Sequence, residues 1–187
     1  MHAGMQKTIH RVVLAAAILQ LTGKVLAASA KISSIYTPLA GKSCVLVKED
    51  KETGNSLQSC PGVANGKVIV AYDDQRMSIT LVLAEDKKEQ PLDLWTVVTK
   101  SFSSLGASVE WRVMQDSKKS VPLALIVRVN ATSSDGKKSS YLAIAKVSAD
   151  QACVVDVISV ASDRDANQRA RRSADQSADK PCLRGEK

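Results

Sequence analysis

VPLALIVRVN, which runs from Val121 to Asn130, is apolar almost throughout. A run of this kind is typical of a central strand that is buried on both of its faces. Pro122 stands near the start of the run, where a missing backbone donor is tolerated. The stretch therefore predicts a β-sheet with this strand near its middle.

Six further strand-like runs flank this segment. They are Lys42–Lys48, Lys67–Tyr72, Met77–Leu83, Val109–Met114, Tyr141–Val147 and Ala152–Val160. Turn-forming residues at 73–76 and 133–136 separate two pairs of them. Residues 31–41 are expected to be an irregular lead-in, and residues 49–59 and 85–91 to be polar loops. We expect an antiparallel sheet of about six to seven strands.

Two helices are predicted beside this sheet. Apolar residues between Asp93 and Leu105 recur at spacings of four and three, with Asp93 placed to cap a helix and Gly106 to end it. The β-branched run at 96–99 argues against that helix. A second helix is predicted before Pro181 from alanines that recur every four residues: Ala166, Ala170, Ala174 and Ala178. The fold predicted is α+β, with a central helix and a C-terminal helix packed on the sheet.

The four cysteines allow three pairings. We favour Cys44 with Cys60 and Cys153 with Cys182, because each pair flanks a segment that looks like a local excursion of the chain. No two cysteines have the Cys-x-x-Cys spacing of a redox pair or of a zinc site. Two structural disulfides are therefore predicted, and they indicate an oxidising compartment.

Residues 1–30 have the pattern of a cleaved secretory signal. Basic residues precede the ten-residue apolar run Val12 to Leu21, and small residues follow it. The run is too short to span a membrane, so no stable membrane anchor is predicted. Cleavage would leave residues 31–187 as a single globular domain with a net charge of about +4, because residues 1–30 contain three basic and no acidic side chains. This spread-out charge gives little support for nucleic-acid binding.

Both histidines, His2 and His10, lie in the predicted signal. The exported part would lack the commonest general base and the commonest metal ligand, so neither a metal nor a cofactor is predicted. Glu110 and Asp156 are one alternative, a carboxylate pair like that of a glycosidase. Trp95 and Trp111 are candidates to stack on a ligand, although core packing is the simpler interpretation of each. The candidate binding residues are Trp95, Glu110, Trp111, Arg112 and Arg128.

Eight segments form a distinctive set: Tyr36–Leu39, the Cys44 to Gly62 unit, Leu94–Trp95, Ser101–Gly106, Glu110–Arg112, Ala124–Arg128, Asp163–Asn167 and Lys180–Leu183. Together they resemble an uncharacterised family of small exported bacterial proteins. The resemblance covers most of residues 31–187. It implies a periplasmic location and supplies no activity, substrate or active site.

The leading hypothesis is a non-catalytic periplasmic binding or accessory protein, whose partner is an unknown periplasmic protein or small ligand. The absence of histidine from the exported part motivates it. One alternative is a hydrolase that uses paired Asp and Glu carboxylates. A lysozyme-inhibitor-like protein is a third, and the positive charge argues against it because lysozymes are commonly basic.

Overall fold

The computed structural model describes Met1 and residues 31–84, 87–116, 119–161 and 163–185. Apart from Met1, the predicted signal at residues 1–30 lies outside the described residues. Ten strands form: β1 Lys31–Pro38, β2 Val45–Glu49, β3 Ser56–Pro61, β4 Lys67–Asp73, β5 Arg76–Val82, β6 Glu89–Pro91, β7 Phe102–Asp116, β8 Lys119–Thr132, β9 Lys138–Val147 and β10 Ala152–Ser159. Two α-helices accompany them, α1 Leu94–Val97 and α2 Ala166–Asp175, with a 3-10 turn at Gly41–Ser43.

The strands form two antiparallel sheets of five. Sheet A has the order β1-β7-β8-β9-β10, and sheet B has the order β2-β3-β4-β5-β6. Sheet B is a meander of consecutive strands, whereas sheet A pairs the first strand with the seventh, as in Ile35 opposite Trp111. The segment VPLALIVRVN lies in β8, at the middle of sheet A.

The main core lies between the two sheets. Alternate residues of each strand point into it: Val109, Trp111 and Val113 come from β7, and Ile79 and Leu81 from β5. All five are at most 1% exposed. Contacts between β5 and β7, between β1 and β3, and between β10 and β6 hold the sheets face to face.

Helix α2 covers the other face of sheet A. Its buried alanines Ala166, Ala170 and Ala174 pack on a second apolar cluster that includes Ile126 and Ile144. Because alanine is small, the helix can approach the sheet closely. Sheet A is therefore a middle layer between sheet B and α2, which explains why β8 is apolar on both faces.

The predicted α+β class is wrong. The described part of the chain is mostly β, with two five-stranded sheets and, besides the single turn of α1, only the short helix α2. All seven predicted strands are present, but β1, β3 and β6 fall in segments that were interpreted as an irregular lead-in and polar loops. These strands are half exposed or lie at sheet edges, where apolar alternation is weak.

The predicted central helix over 93–105 is also wrong. Only α1 is helical there, and Asp93 does not cap it through its side chain, since Asp93 has a left-handed backbone with φ 49°. Phe102 already belongs to β7. The β-branched run at 96–99 disfavours a longer helix. Leu105 lies in strand β7 and not in a helix. The spacing of four and three arose from apolar residues of two different elements.

Both disulfides join the cysteines paired on the sequence. Cys44 is bonded to Cys60, and Cys153 to Cys182. The first ties the start of β2 to the end of β3 in sheet B. The second ties the chain beyond α2 to β10, where the backbone N–H of Leu183 also donates to the carbonyl oxygen of Val154 at 2.8 Å. The predicted bridge between the terminal segment and the sheet is confirmed.

Candidate functional site

A cleft of about 1310 Å³ opens at one end of the sandwich. Strand ends and turns of both sheets contribute to it, together with the end of α2. The lining comes from Ile35 and Thr37 and from residues within 62–65, 83–84, 120–123, 146–151 and 174–178. A cleft of this size is large enough to bury a small organic molecule.

The wall of the cleft is mainly apolar. Its side chains come from β1, from β8, from β9 and from the loops of sheet B: Ile35, Val63, Leu83, Val121 and Val147. Val63 and Val147 are buried, whereas Val121 remains 41% exposed. An apolar surface that is concave and open to water gains free energy when a ligand covers it.

The turn between β3 and β4 shapes one side of this cleft. Gly62 donates its backbone N–H to Gly66, and Gly66 donates to Val63. A Cβ atom at Gly62 would lie 3.0 Å from the backbone of Gly66, so the two chain segments approach too closely for a larger residue. Ala64 and Asn65 at the tip have φ of 50° and 61°. The sequence thus fixes this turn in a single tight conformation.

Nine polar residues also line the cleft, and several of them already have partners within the protein. The hydroxyl of Thr37 accepts a hydrogen bond from Trp111 Nε1 at 2.9 Å. The ammonium of Lys146 donates to the carbonyl oxygen of Lys180 at 2.9 Å. Further polar side chains, Asn65, Asp150 and Gln151, also line the cleft. This arrangement suits an apolar or amphipathic molecule better than a highly charged one.

Glu110 and Arg112 lie on the opposite side of β7 from Trp111, facing α2. Arg171 donates to Glu110 from Nε at 2.7 Å and from Nη2 at 3.2 Å. Arg112 binds Asp175 through Nε at 2.7 Å and Nη2 at 2.9 Å. These two paired contacts join the helix to sheet A, so we call the set of Ser34, Glu110, Arg112, Arg171 and Asp175 the helix clamp.

Ser34 of β1 connects the two halves of the helix clamp. Its hydroxyl donates to Glu110 Oε1 and accepts from Arg112 Nη1, each at 2.5 Å. Burial raises the pKa of Glu110, but the hydrogen bonds from Arg171 and from Ser34 outweigh it and leave this pKa below its ordinary value. A carboxyl group with a lowered pKa is a poor general acid.

The structure does not bring Glu110 and Asp156 together. Glu110 is on β7 and Asp156 on β10, three strands away, which is about 14 Å at the usual strand spacing. The carboxyl groups of a glycosidase lie about 5–9.5 Å apart. Asp156 instead accepts from the Ser173 hydroxyl at 2.5 Å, and Lys180 Nζ lies 3.6 Å from it. Both carboxylates hold α2 and the chain beyond it against sheet A.

Arg128 stands apart from the helix clamp and from the cleft. Its Nη1 donates to Ser140 Oγ at 3.0 Å, and Ser140 in turn donates to Asn130 Oδ1 at 3.0 Å. Gly106 faces this side chain, since a Cβ atom there would lie 3.1 Å from Arg128 Cβ. Arg128 therefore belongs to a polar patch between β8 and β9 rather than to a site with Trp95 or Glu110.

The two tryptophans have different surroundings. Trp111 is 1% exposed and packs in the core, as the simpler interpretation of this residue holds. Its indole touches the cleft only indirectly, through the hydrogen bond to Thr37. Trp95 of α1 is half-buried and lines a shallow depression on sheet B, together with Tyr72.

Sequence reasoning missed the residues of the cleft. Thr37 lies in the segment interpreted as an irregular lead-in, and Val121 was assigned only to the central strand. One usable signal was present, the closely spaced Gly62 and Gly66 between two strands, which indicates a tight turn. The sequence could not show that this turn faces the start of β8 across the sandwich.

Within the described part of the chain, no three His, Cys, Asp or Glu side chains are grouped so that they could hold a metal ion. No helix among the same residues is long and apolar enough to cross a membrane. Comparisons with protein-family models, with curated proteins and with solved structures gave no match.

Proposed function

We propose that this chain is an exported, non-catalytic binding protein that takes an apolar or amphipathic small molecule into the cleft at the end of the sandwich. One observation carries the proposal: the cleft is concave, open and walled mainly by aliphatic side chains of both sheets. Burying these side chains under a ligand contributes about 25 cal/mol for each Å² of apolar surface removed from water.

Three observations support export to the periplasm. Residues 1–30 have the charge and hydropathy pattern of a secretory signal. Two disulfides are present, which is typical of proteins in oxidising compartments. The resemblance to small exported bacterial proteins points to the same location.

The hydrolase alternative has less support than binding. Its two carboxylates, Glu110 and Asp156, come from strands about 14 Å apart at the usual strand spacing, and each contacts residues of α2 or of the chain beyond it. No specific contact favours the lysozyme-inhibitor alternative. A binding role requires neither paired carboxylates nor a basic surface of any particular shape.

The proposal is tested with the fluorescent probe 1-N-phenylnaphthylamine, whose emission rises in apolar sites. A Trp95→Phe background leaves Trp111 as the only tryptophan. Energy transfer from Trp111 to the probe shows that the probe is bound to the folded domain, and substitutions on the cleft wall locate it there.

Two valine variants form a matched pair. Val121→Glu places a charge on the cleft wall, and Val47→Glu places one on the exposed strand β2; both valines are exposed in the native protein. We expect Val121→Glu to weaken probe binding at least tenfold and Val47→Glu to leave it unchanged. An unchanged affinity in Val121→Glu, or probe fluorescence without energy transfer from Trp111, would contradict the proposal.

A further inference from the structure

A second depression, of about 300 Å³, lies on the face of sheet B that points away from sheet A. Val68 and Val70 of β4 point into the core, so Ala71 lies on the opposite face, beside its register partner Leu57 of β3. Both residues form the floor of the depression. It is separate from the cleft at the end of the sandwich, and the two share no lining residue.

The aromatic side chain at the edge of this depression is that of Trp95, and the backbone around Tyr72 lines it as well. Helix α1 fixes the position of Trp95: Leu94 is fully buried in the core, and its backbone N–H donates to Ser78 Oγ at 3.0 Å. Trp95 itself stays half-buried, which leaves part of the indole open to a ligand.

Polar groups also line the depression. Asn55 Nδ2 donates to Asp73 Oδ1 at 2.6 Å, and Asp50 Oδ1 accepts from the backbone N–H of Glu52 at 2.9 Å. No residue that the structure describes donates a hydrogen bond to Asp73 Oδ2. The hydrogen bonds from the Glu52 backbone and from Thr53 hold the pKa of Asp50 below its ordinary value, so its carboxylate is ionised at neutral pH.

We propose that this depression binds one ring of a neutral saccharide. The apolar C–H face of a pyranose packs on an aromatic ring, while its hydroxyl groups need acceptors at the edge of the site. The partly exposed indole of Trp95 supplies the aromatic surface, and the carboxylates of Asp50 and Asp73 supply the acceptors. The size of the depression suits a single ring rather than an extended chain.

A cationic ligand fits the same depression less well. Aromatic and acidic side chains together can attract an organic cation. Here, however, Lys48 also lines the depression and offsets part of the negative charge of Asp50 and Asp73. A neutral polyol does not depend on the remaining charge, because it can donate hydrogen bonds to the carboxylates.

Nuclear magnetic resonance can read the two tryptophans separately through their indole N–H signals. The protein comprising residues 31–187 is titrated with maltotriose, cellotriose and chitotriose, and separately with tetramethylammonium chloride. We expect at least one trisaccharide to shift the Trp95 signal while the Trp111 signal stays in place, since Trp111 is buried. No Trp95 shift with any trisaccharide at 10 mM, or a shift with tetramethylammonium alone, would overturn the proposal.

Variants then locate the site. Trp95→Ala should weaken saccharide binding at least tenfold, as followed by the backbone amide of Ala71, and Asp73→Asn should weaken it severalfold. Phe102→Ala removes a second partly exposed aromatic ring outside the depression and should leave the affinity unchanged. Equal losses in Trp95→Ala and Phe102→Ala would overturn the assignment. Probe binding in the cleft is measured independently, so failure of one site leaves the other testable.

Discussion

The two sheets of this protein have the same number of strands but different degrees of cover. Sheet A lies between sheet B and α2, so strands β8 and β9 bury side chains on both faces. Sheet B packs on sheet A with one face, and its strand β2 is exposed along its whole length. Val45, Leu46 and Val47 of β2 are 67%, 53% and 61% exposed.

Because of this difference in cover, the two sheets have different roles in the protein. Sheet A supplies rigidity, because the helix clamp and the disulfide between Cys153 and Cys182 fix α2 and the following chain to it. Sheet B supplies accessible surface: its turns line the cleft, and its outer face carries the depression beside Trp95. Both proposed binding sites therefore depend on residues of the less covered sheet.

A pair of isoleucines tests the difference in cover most directly. Ile144 of sheet A is fully buried under α2, whereas Ile69 of sheet B is half-buried on the outer face. We expect Ile144→Ala to lower the free energy of unfolding by about 4 kcal/mol, because the rigid surroundings leave a cavity. Ile69→Ala should cost about 1 kcal/mol or less, since little apolar surface is lost there.

Urea denaturation of both variants measures these losses. Each variant is the control for the other, because the substitution is the same and only the environment of the side chain differs. Equal losses at the two positions would mean that the outer face of sheet B is covered in solution, for example by another molecule.

Removal of each disulfide sharpens the comparison further. The double exchanges to serine, at Cys44 with Cys60 and at Cys153 with Cys182, should each cost about 3 kcal/mol, because sequence separations of 16 and 29 give similar loop entropies. The local effects should differ. Hydrogen exchange is expected to accelerate in β2 after loss of the first bridge and around Leu183 after loss of the second. Faster exchange throughout both sheets in either variant would contradict this division.

The smallest expected effect concerns Glu110 in the helix clamp. Its pKa is lower in the folded state, so its charge stabilises the fold above the unfolded pKa of about 4.3, and this contribution is lost as the pH falls through the folded pKa. Glu110→Gln should therefore cost about 1 kcal/mol at pH 7 and less below pH 4. Glu49→Gln on exposed β2 should change stability by less than about 0.5 kcal/mol.

Unfolding free energies at pH 7 and pH 3.5 measure this effect. A difference between wild type and Glu110→Gln that grows on acidification would have the wrong sign for a carboxylate stabilised by Arg171.

The difference in cover between the two sheets also explains which strands the sequence predicts. The strands with strong patterns were found, including β8, whose continuous apolar run reflects burial on both faces. Strands β1, β3 and β6 were missed because part of each is exposed and their side chains do not alternate clearly. The helix over 93–105 was predicted from apolar spacing and from the capping residues Asp93 and Gly106, although the chain passes there from one sheet to the other.

The binding sites were less predictable than the strands. Trp95 was a candidate from its residue type, but nothing in the sequence placed it beside Tyr72 and Asp73, which lie more than twenty positions away. Glu110 and Arg112 were recognised as notable, yet their role is to hold α2, because their partners Arg171 and Asp175 come from a distant segment. Contacts between segments far apart in sequence have no local signal.

The pairing of β1 with β7 also sets an order of events in folding. Sheet B consists of consecutive strands joined by short connections, so its pairings close small loops and can form early. Strand β1 comes first in the chain, but its partner residues Ser108 to Gln115 follow 70 to 84 positions later. Strand β1 therefore remains unpaired until β7 joins it, and until then its apolar residues are open to aggregation.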